Sequence, residues 1–503
     1  MTKCLTGRRF WACSGSRVGL LEGTSEVQAI ACFPRVVVSA DGRGVVSHVG
    51  ARLLADVAEA TGLVDAFDQA VGGRRVRRSA HRPGRVLVDA AVMIADGGEA
   101  IADLAVLRNQ PGLFGRVASP ATCWRVLESV DADALANLKR ARATARERAW
   151  LMRGEAGRDL SSVVCGGRAQ PGLVIDIDAT LVTCHSEKEG TAATYKSGYG
   201  YHPMLAWLDN TGEALAGLLR PGNATANDAA DHTRVINDAL AQIPDGDRYG
   251  RPILVRADNA GGTRGFLSHL RSLRDERGLD VSFSVGFKVT NAVAEAIRRL
   301  PEAAWTVAID AGGTPRPADE TGLPVAQVAE LTGLLADPVL SGWPAGMRVL
   351  VRRERPHPGA QLSVFEAHDD WRYQALATDT MAGQLAWLEA RHRAHARVED
   401  KIRNIKQAGI GRFPSRKFQI NQTWLQLALA AADLIAWTQT TLLTGELAKA
   451  EPKTLRYRLL HVAARLVRGQ RRTRIRIDHS WPWARHLADA FNRLKGICPP
   501  LVT

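Results

Sequence analysis

Residues 173–182 read LVIDIDATLV, an apolar run interrupted by two carboxylates at a spacing of two. Successive side chains of a strand point to opposite faces. Leu173, Ile175 and Ile177 therefore share one face, and Val174, Asp176, Asp178 and Thr180 share the other. A carboxylate on a buried strand needs a compensating partner, either a metal ion or an arginine. The spacing alone does not separate Asp176 from Asp178.

Downstream, YGYHPMLAWLD (199–209), a turn at Asn210 and Gly212, and EALAGLLRP (213–221) read as two further strands, antiparallel to the first and to each other. A helix follows from about Ala226 through Leu240. Next come the short buried strand PILVRAD (252–258) ending in Asp258, the helix RGFLSHLRSLRDERG (264–278) and the strand VSFSVGFKV (281–289). Three strands, helix, strand, helix, strand is the order of a ribonuclease-H-like mixed sheet, so the expected fold class is α/β with such a core. The stretch 291–380 is richer in Gly and Pro, and its strands MRVLVRRE (347–354) and WRYQALAT (371–378) predict a mostly β insertion.

The chain returns to the core with QLAWLEARHRAHARVEDKIRNIKQAG (384–409). At about 100° per residue, His392, His395, Glu399 and Lys406 fall on one polar stripe of a helix. Trp387, Val398, Ile402 and Ile405 form a separate apolar stripe, so the helix can be half buried and still present a carboxylate. Adjacent strands lie about 4.8 Å apart, which lets an acid on the first strand neighbour one ending the fourth. A third carboxylate from a packed helix completes an oxygen-rich set suited to two Mg²⁺ ions about 3.5–4 Å apart, with Mn²⁺ as a substitute. That chemistry cuts or joins phosphodiesters.

Upstream, residues 46–165 are expected to be a helical DNA-binding domain of helix-turn-helix type, in which Ser119 caps a helix opened by Pro120. Basic clusters at Arg74, Arg75, Arg77 and Arg78, and at Lys139, Arg140, Arg142, Arg146 and Arg148, are expected at DNA phosphates. So is the strand face of Arg472, Arg474 and Arg476, which alternate with Thr473, Ile475 and Ile477. The remaining boundaries are an arm at 1–45, core segments at 166–290 and 381–445, and a basic C-terminal region at 446–503.

The 503 residues carry a net charge of +14, which suits a polyanion partner. Seven cysteines without a CxxC pair argue against a structural zinc site and fit a reducing cytoplasm. The apolar run 425–443 contains Gln426, Asp433 and Gln439 and reads as a buried helix, so no membrane partner is expected.

Asp-Ala-Thr at 178–180, Arg-Ala-Asp-Asn at 256–259 and the Glu399 helix together resemble the DDE-type insertion-sequence transposases, specifically the family numbered thirteen-eighty, over roughly residues 45–490. The resemblance implies a catalytic, metal-binding triad of Asp178, Asp258 and Glu399, with Asp176 as an additional acid. It also implies DNA strand cleavage and transfer at the terminal inverted repeats, double-stranded DNA as partner at both transposon ends and target, a homodimer in the synaptic complex, and a place in the bacterial cytoplasm at the nucleoid. Related transposases carry a Tyr-x2-Arg-x3-Glu-x6-Lys signature. Its slots here hold His392, His395, Glu399 and Lys406, so the two histidines, Lys406 and the nearby Arg391 are the expected DNA contacts. An aromatic of the β insertion often stacks on a flipped base in that family, with Trp343 and Trp371 as candidates. The alternatives are a stand-alone nuclease of the same fold and a catalytically inactive DNA-binding regulator.

Overall fold

The computed structural model describes residues 38–72, 81–184, 187–320, 322–335, 337–357, 359–469 and 472–497. Two compact units divide the chain, Met1–Arg43 and Gly44–Thr503, and everything below belongs to the second. Arg74, Arg75, Arg77 and Arg78 lie outside the described residues.

Among the described residues the main sheet has nine strands: β1 (Leu173–Ala179), β2 (Met204–Leu208), β3 (Glu213–Leu218), β4 (Ile253–Ala257), β5 (Val281–Phe287), β6 (Thr306–Val307), β7 (Ala326–Glu330), β8 (Arg348–Glu354) and β9 (Arg372–Thr378). Their order is β6-β7-β8-β9-β5-β4-β1-β2-β3. Strands β1, β4 and β5 run parallel, and all other pairings are antiparallel. The strands between 291 and 380 form no sheet of their own, because β9 pairs directly with β5 and continues the core sheet edge to edge. The stretch 199–209 also differs from a single strand. Tyr199–Tyr201 joins a separate three-stranded sheet, and the main strand starts only after Pro203. Proline has no N–H to give a ladder, and the Pro203 carbonyl accepts from Thr180 N at 2.9 Å.

Among the helices that position the site are α1 (Val49–Ala60), α2 (Leu63–Val71), α3 (Pro83–Ala95), α4 (Pro120–Glu128), α5 (Ala132–Glu155), α6 (Ala229–Leu240), α7 (Arg264–Asp275), α8 (Leu385–Arg393), α9 (Arg397–Ile405) and α10 (Phe418–Leu442). Ser119 caps α4 by accepting from Thr122 N, and Asp228 caps α6 by accepting from Asp231 N. Helices α6 and α7 cover one face of the sheet, packing on Leu173, Ile175 and Ile177. The opposite face meets α9 and α10. Helix α10 is buried along most of its length and also packs on α1, α3 and α5, so this side of the sheet and the N-terminal helices share one hydrophobic core. Among the described residues no helix is long and apolar enough to cross a membrane.

The 384–409 stretch is not one continuous α-helix. A 3₁₀ turn at Ala394–Ala396 joins α8 to α9, and a wider turn at Lys406–Ile410 ends with a kink. The tighter turn shifts the helical phase. As a result Trp387 packs with Leu350, Leu376 and Leu388, whereas Val398, Ile402 and Ile405 enter the large core. The kink needs Gly409, whose φ is 104° and where an added Cβ would lie 2.7 Å from Ile94.

Candidate active site

Strand register builds the site. In the β1–β4 pair Arg256 stands opposite Asp176, and Ala257 opposite Ile177. One step further, Asp258 leaves the carboxyl end of β4 beside Asp178. The same-face pair Asp176/Asp178 thus meets the same-face pair Arg256/Asp258, and each carboxylate of β1 has a different neighbour.

The inner pair is an ion pair. Arg256 Nε and Nη2 donate to Asp176 Oδ1 and Oδ2 at 2.8 and 2.7 Å. Arg256 Nη2 also donates to Asp209 at 2.8 Å, and Nη1 donates to the Arg391 carbonyl at 3.0 Å. His395 Nδ1 lies 2.9 Å from Asp176 Oδ1. Burial alone would push the Asp176 carboxyl up, but Arg256 and His395 outweigh it and hold it below the ordinary value. In turn, burial opposes the charge on His395, and Asp176 overcomes this to hold the ring above its usual range. Both Asp176 oxygens are therefore engaged by protein groups. Arginine, one of the two partners the buried strand acids require, is what Asp176 has.

The outer pair has no arginine. Asp178 is pushed up to about 6, first by burial; His395 counteracts this, while the nearby Asp258 and Glu399 carboxylates add to it. Asp178 Oδ1 accepts from Ala179 N at 2.7 Å, and Asp258 Oδ1 accepts from Ala260 N at 2.9 Å, fixing both strand ends. Asp258, Glu399, His392 and His395 line one cleft of about 370 Å³. Asp258 and Glu399 line the cleft, and Asp178 lies within electrostatic reach of both; carboxylate oxygens are the donors that a hard divalent cation takes.

The raised Asp178 carboxyl, owed first to burial with the neighbouring carboxylates adding to it, has a stability signature in metal-free protein. Between the ordinary aspartate value of 3.8 and about 6, the folded state binds more protons at Asp178 than the unfolded chain does. Its contribution to stability therefore falls as pH rises through that window. In chelator at pH 7, Asp178→Asn is expected to stabilise the fold by about 1–2 kcal/mol, with no gain at pH 4. Urea melts at the two pH values test this, and an equal effect at both would refute it.

The other sequence-selected residues divide between cleft and core. His392 Nδ1 sits 3.2 Å from Ser284 Oγ, and burial, reinforced by His395, drives its pKa down to about 4, leaving it neutral at pH 7. Lys406 is half-buried at the start of the wide turn. Burial first and Lys196 second lower its pKa, while Asp178, within electrostatic reach, raises it. Arg391 is 2% exposed and donates to Thr378 and Thr380 hydroxyls at 3.2 and 2.9 Å, behind the cleft. Arg142 is 1% exposed and bonded to Asp433. Burial takes both arginines out of reach of DNA. Trp371 is buried, with the Arg353 and Arg355 guanidinium carbons 4.6 and 4.1 Å from its ring centre. Trp343 packs 5.1 Å from Phe287, a cleft residue.

The sequence matches the family model described as Transposase DDE domain group 1 over residues 29–498. The chain belongs to this family. No curated protein matches the transposase. Among solved structures, a cryo-EM synaptic complex of piggyBac transposase with hairpin DNA aligns at a TM-score of 0.42 and 9% identity, covering 81% of this chain and 80% of that one.

Among the described residues, two of the expected basic features include exposed arginines. Arg140 lies on the surface of α5. Arg472, Arg474 and Arg476 lie on an edge strand, β11 (Arg472–Ile477), paired antiparallel with β10 (Ala464–Gly469). Register places Arg465 opposite Arg476, so four arginines share one face of this ribbon, while Leu466, Ile475 and Ile477 pack inward. Sequence reasoning missed Arg256 as the partner of Asp176. The signal was there, because Arg256 and Asp258 repeat the spacing of two that marks Asp176 and Asp178.

Proposed function

We propose that this transposase binds the inverted repeats at the ends of its own insertion element, nicks the strand there, and transfers the freed 3′-hydroxyl to a target, with Asp178, Asp258 and Glu399 as its catalytic triad. The observation that carries the reading is the parallel register that sets Asp258 beside Asp178, with Glu399 near enough to raise the Asp178 carboxyl. The three carboxylates would hold two Mg²⁺ ions, or Mn²⁺, which when bound supply Lewis acidity to the attacking and leaving oxygens. Asp176 is a positioning residue: with Arg256 it clamps β1 to β4, and with His395 it ties the Glu399 segment to the same strands. The strand order β3-β2-β1-β4-β5 supports a ribonuclease-H-like core. His392, His395 and Lys406, lying beside the triad, are proposed to face the DNA strand, with His392 acting as a neutral hydrogen-bonding group.

The N-terminal helices, Arg140 and the β10–β11 ribbon are assigned to duplex binding, and joining two ends calls for a homodimer in the synaptic complex. Arg472→Ala and Arg474→Ala should each weaken binding to any sequence and lower the slope of log K against log salt by about 1. Salt-titrated gel shifts measure this, and an unchanged slope would exclude the ribbon. To test the function itself, labelled element ends and a supercoiled plasmid are incubated with the protein and Mg²⁺. Cleavage with joining is expected. Cleavage without joining would mark a stand-alone nuclease instead.

A further inference from the structure

We infer that His48, Asp96 and His461 form a second metal site, remote in sequence from the carboxylate triad and built for a zinc-type dication. The three come from distant parts of the sequence. His48 caps the N-terminus of α1, Asp96 caps the C-terminus of α3, and His461 follows the short helical turn Arg456–Leu460. One ligand atom from each lies within 4.8 Å of the other two. His48 Nδ1 is 2.6 Å from Asp96 Oδ2, His461 Nε2 is 3.3 Å from Asp96 Oδ1, and the two imidazole centres are 4.5 Å apart.

Two further observations point to a ligand. The Asp96 side chain is 4% exposed, and its Oδ1 has only the His461 ring at 3.3 Å, with no hydrogen bond of good geometry. A buried carboxylate oxygen held this loosely carries a desolvation penalty that a cation would relieve. His48 also holds a left-handed backbone conformation, φ 57° and ψ 35°, which is uncommon for a residue with a Cβ; it sets the ring against Asp96. Two imidazole nitrogens and one carboxylate oxygen, completed by water, are a zinc donor set, whereas Mg²⁺ prefers oxygen. The two sites of the molecule thus differ in the metal they select. Cysteine spacing gives no hint of the second.

Loading needs two local changes, of which the first is that the 2.6 Å contact between His48 Nδ1 and Asp96 Oδ2 opens to admit the ion. His461 Nε2 lies 2.8 Å from the Asp96 carbonyl oxygen and would exchange that contact for the metal. The ring is 43% exposed, and a cavity of about 570 Å³ lined by Tyr457, His461, Asp478 and Trp481 gives access to it. The ion would also fasten the base of the arginine ribbon. Val49 N donates to Val462 O at 3.1 Å, and Val45–Val46 pairs with Ala464 and Arg465 at the start of β10. The site lies where the ribbon joins α1 and α3.

The test uses the full-length chain carrying Asp258→Asn and Glu399→Gln, so that the triad does not compete for metal. After chelator stripping, the protein is titrated with Co²⁺, followed by its visible ligand-field absorption, and then with Zn²⁺. One Co²⁺ per chain, displaced by one Zn²⁺, is expected. Adding His461→Ala should weaken binding at least about tenfold, and His48→Gln should do the same, with circular dichroism checking the fold of each. Absence of a ligand-field band, or equal affinity in both folded variants, would overturn the site and leave the cluster as a histidine–aspartate ion pair. Neither result bears on cleavage, so the triad assignment stands or falls separately.

Discussion

Asp258→Asn and Glu399→Gln are each expected to lower cleavage of the element's ends on the order of 10³-fold while leaving the fold intact. Both side chains are exposed at the cleft, so neither substitution opens a cavity. The amide introduced at position 258 keeps an oxygen to accept from Ala260 N, so the turn after β4 survives. Each change removes one of the negative charges that raise the Asp178 carboxyl, and its pKa should fall from about 6 toward the ordinary value. Single-turnover cleavage at saturating Mg²⁺, together with thermal melts, checks both parts. Cleavage within threefold of the wild type would sink the triad. Asp176→Asn provides the contrast. It leaves Arg256 buried with one fewer carboxylate, so its loss of activity should accompany a lowered melting temperature.

Much of this site was legible because strand alternation and register are simple periodic rules. Two carboxylates at a spacing of two, and an acid ending a later parallel strand, are enough to place Asp178 and Asp258 together. The choice between Asp176 and Asp178 was not legible from β1 alone, because it depends on what stands opposite each. Arg256 pairs with Asp176 and not with Asp178, which is the electrostatic difference between the two. Helix periodicity also has a limit here. A uniform 100° step puts His392, His395, Glu399 and Lys406 on one stripe, and the first three do line the cleft. The 3₁₀ turn at Ala394–Ala396 nevertheless separates Trp387 from the apolar positions it was grouped with.

The largest gap was α5. Its inward face is Ala134, Leu138, Ala141, Arg142, Ala145, Arg146, Ala149 and Met152, with alanines and arginines where an apolar stripe would show. Arginine runs read as surface because buried guanidinium groups are rare. The partners that make burial tolerable here are Asp433 and Glu213, far away in sequence and on different elements.

Those partners predict a large stability effect. Asp433, fully buried on α10, accepts through Oδ2 from Arg142 Nη2 at 2.8 Å and Arg146 Nη2 at 2.7 Å, and through Oδ1 from Ala214 N on β3 at 3.0 Å. Glu213 lies 3.6 Å from Arg146 Nε and accepts from Trp150 Nε1 and Trp437 Nε1. Burial raises the Glu213 carboxyl, with Arg146 opposing. One carboxylate thus joins α5, α10 and β3. Asp433→Asn removes its charge and, in either amide orientation, turns an NH₂ toward a backbone or guanidinium donor. The expected loss is about 3–5 kcal/mol, the scale for breaking a buried ion pair, and a substantial share of the roughly 5–15 kcal/mol that typically holds a domain together. High salt should not rescue it, because buried charges are poorly screened. Adding Arg142→Met removes one stranded guanidinium and should recover at least about 1 kcal/mol, since residues in one network couple strongly. Urea unfolding of the two single variants and the double variant measures the cycle. An Asp433→Asn loss below about 1 kcal/mol, the scale of an exposed pair, would mean that the two arginines find other partners and that this network does not hold the N-terminal helices to the catalytic sheet.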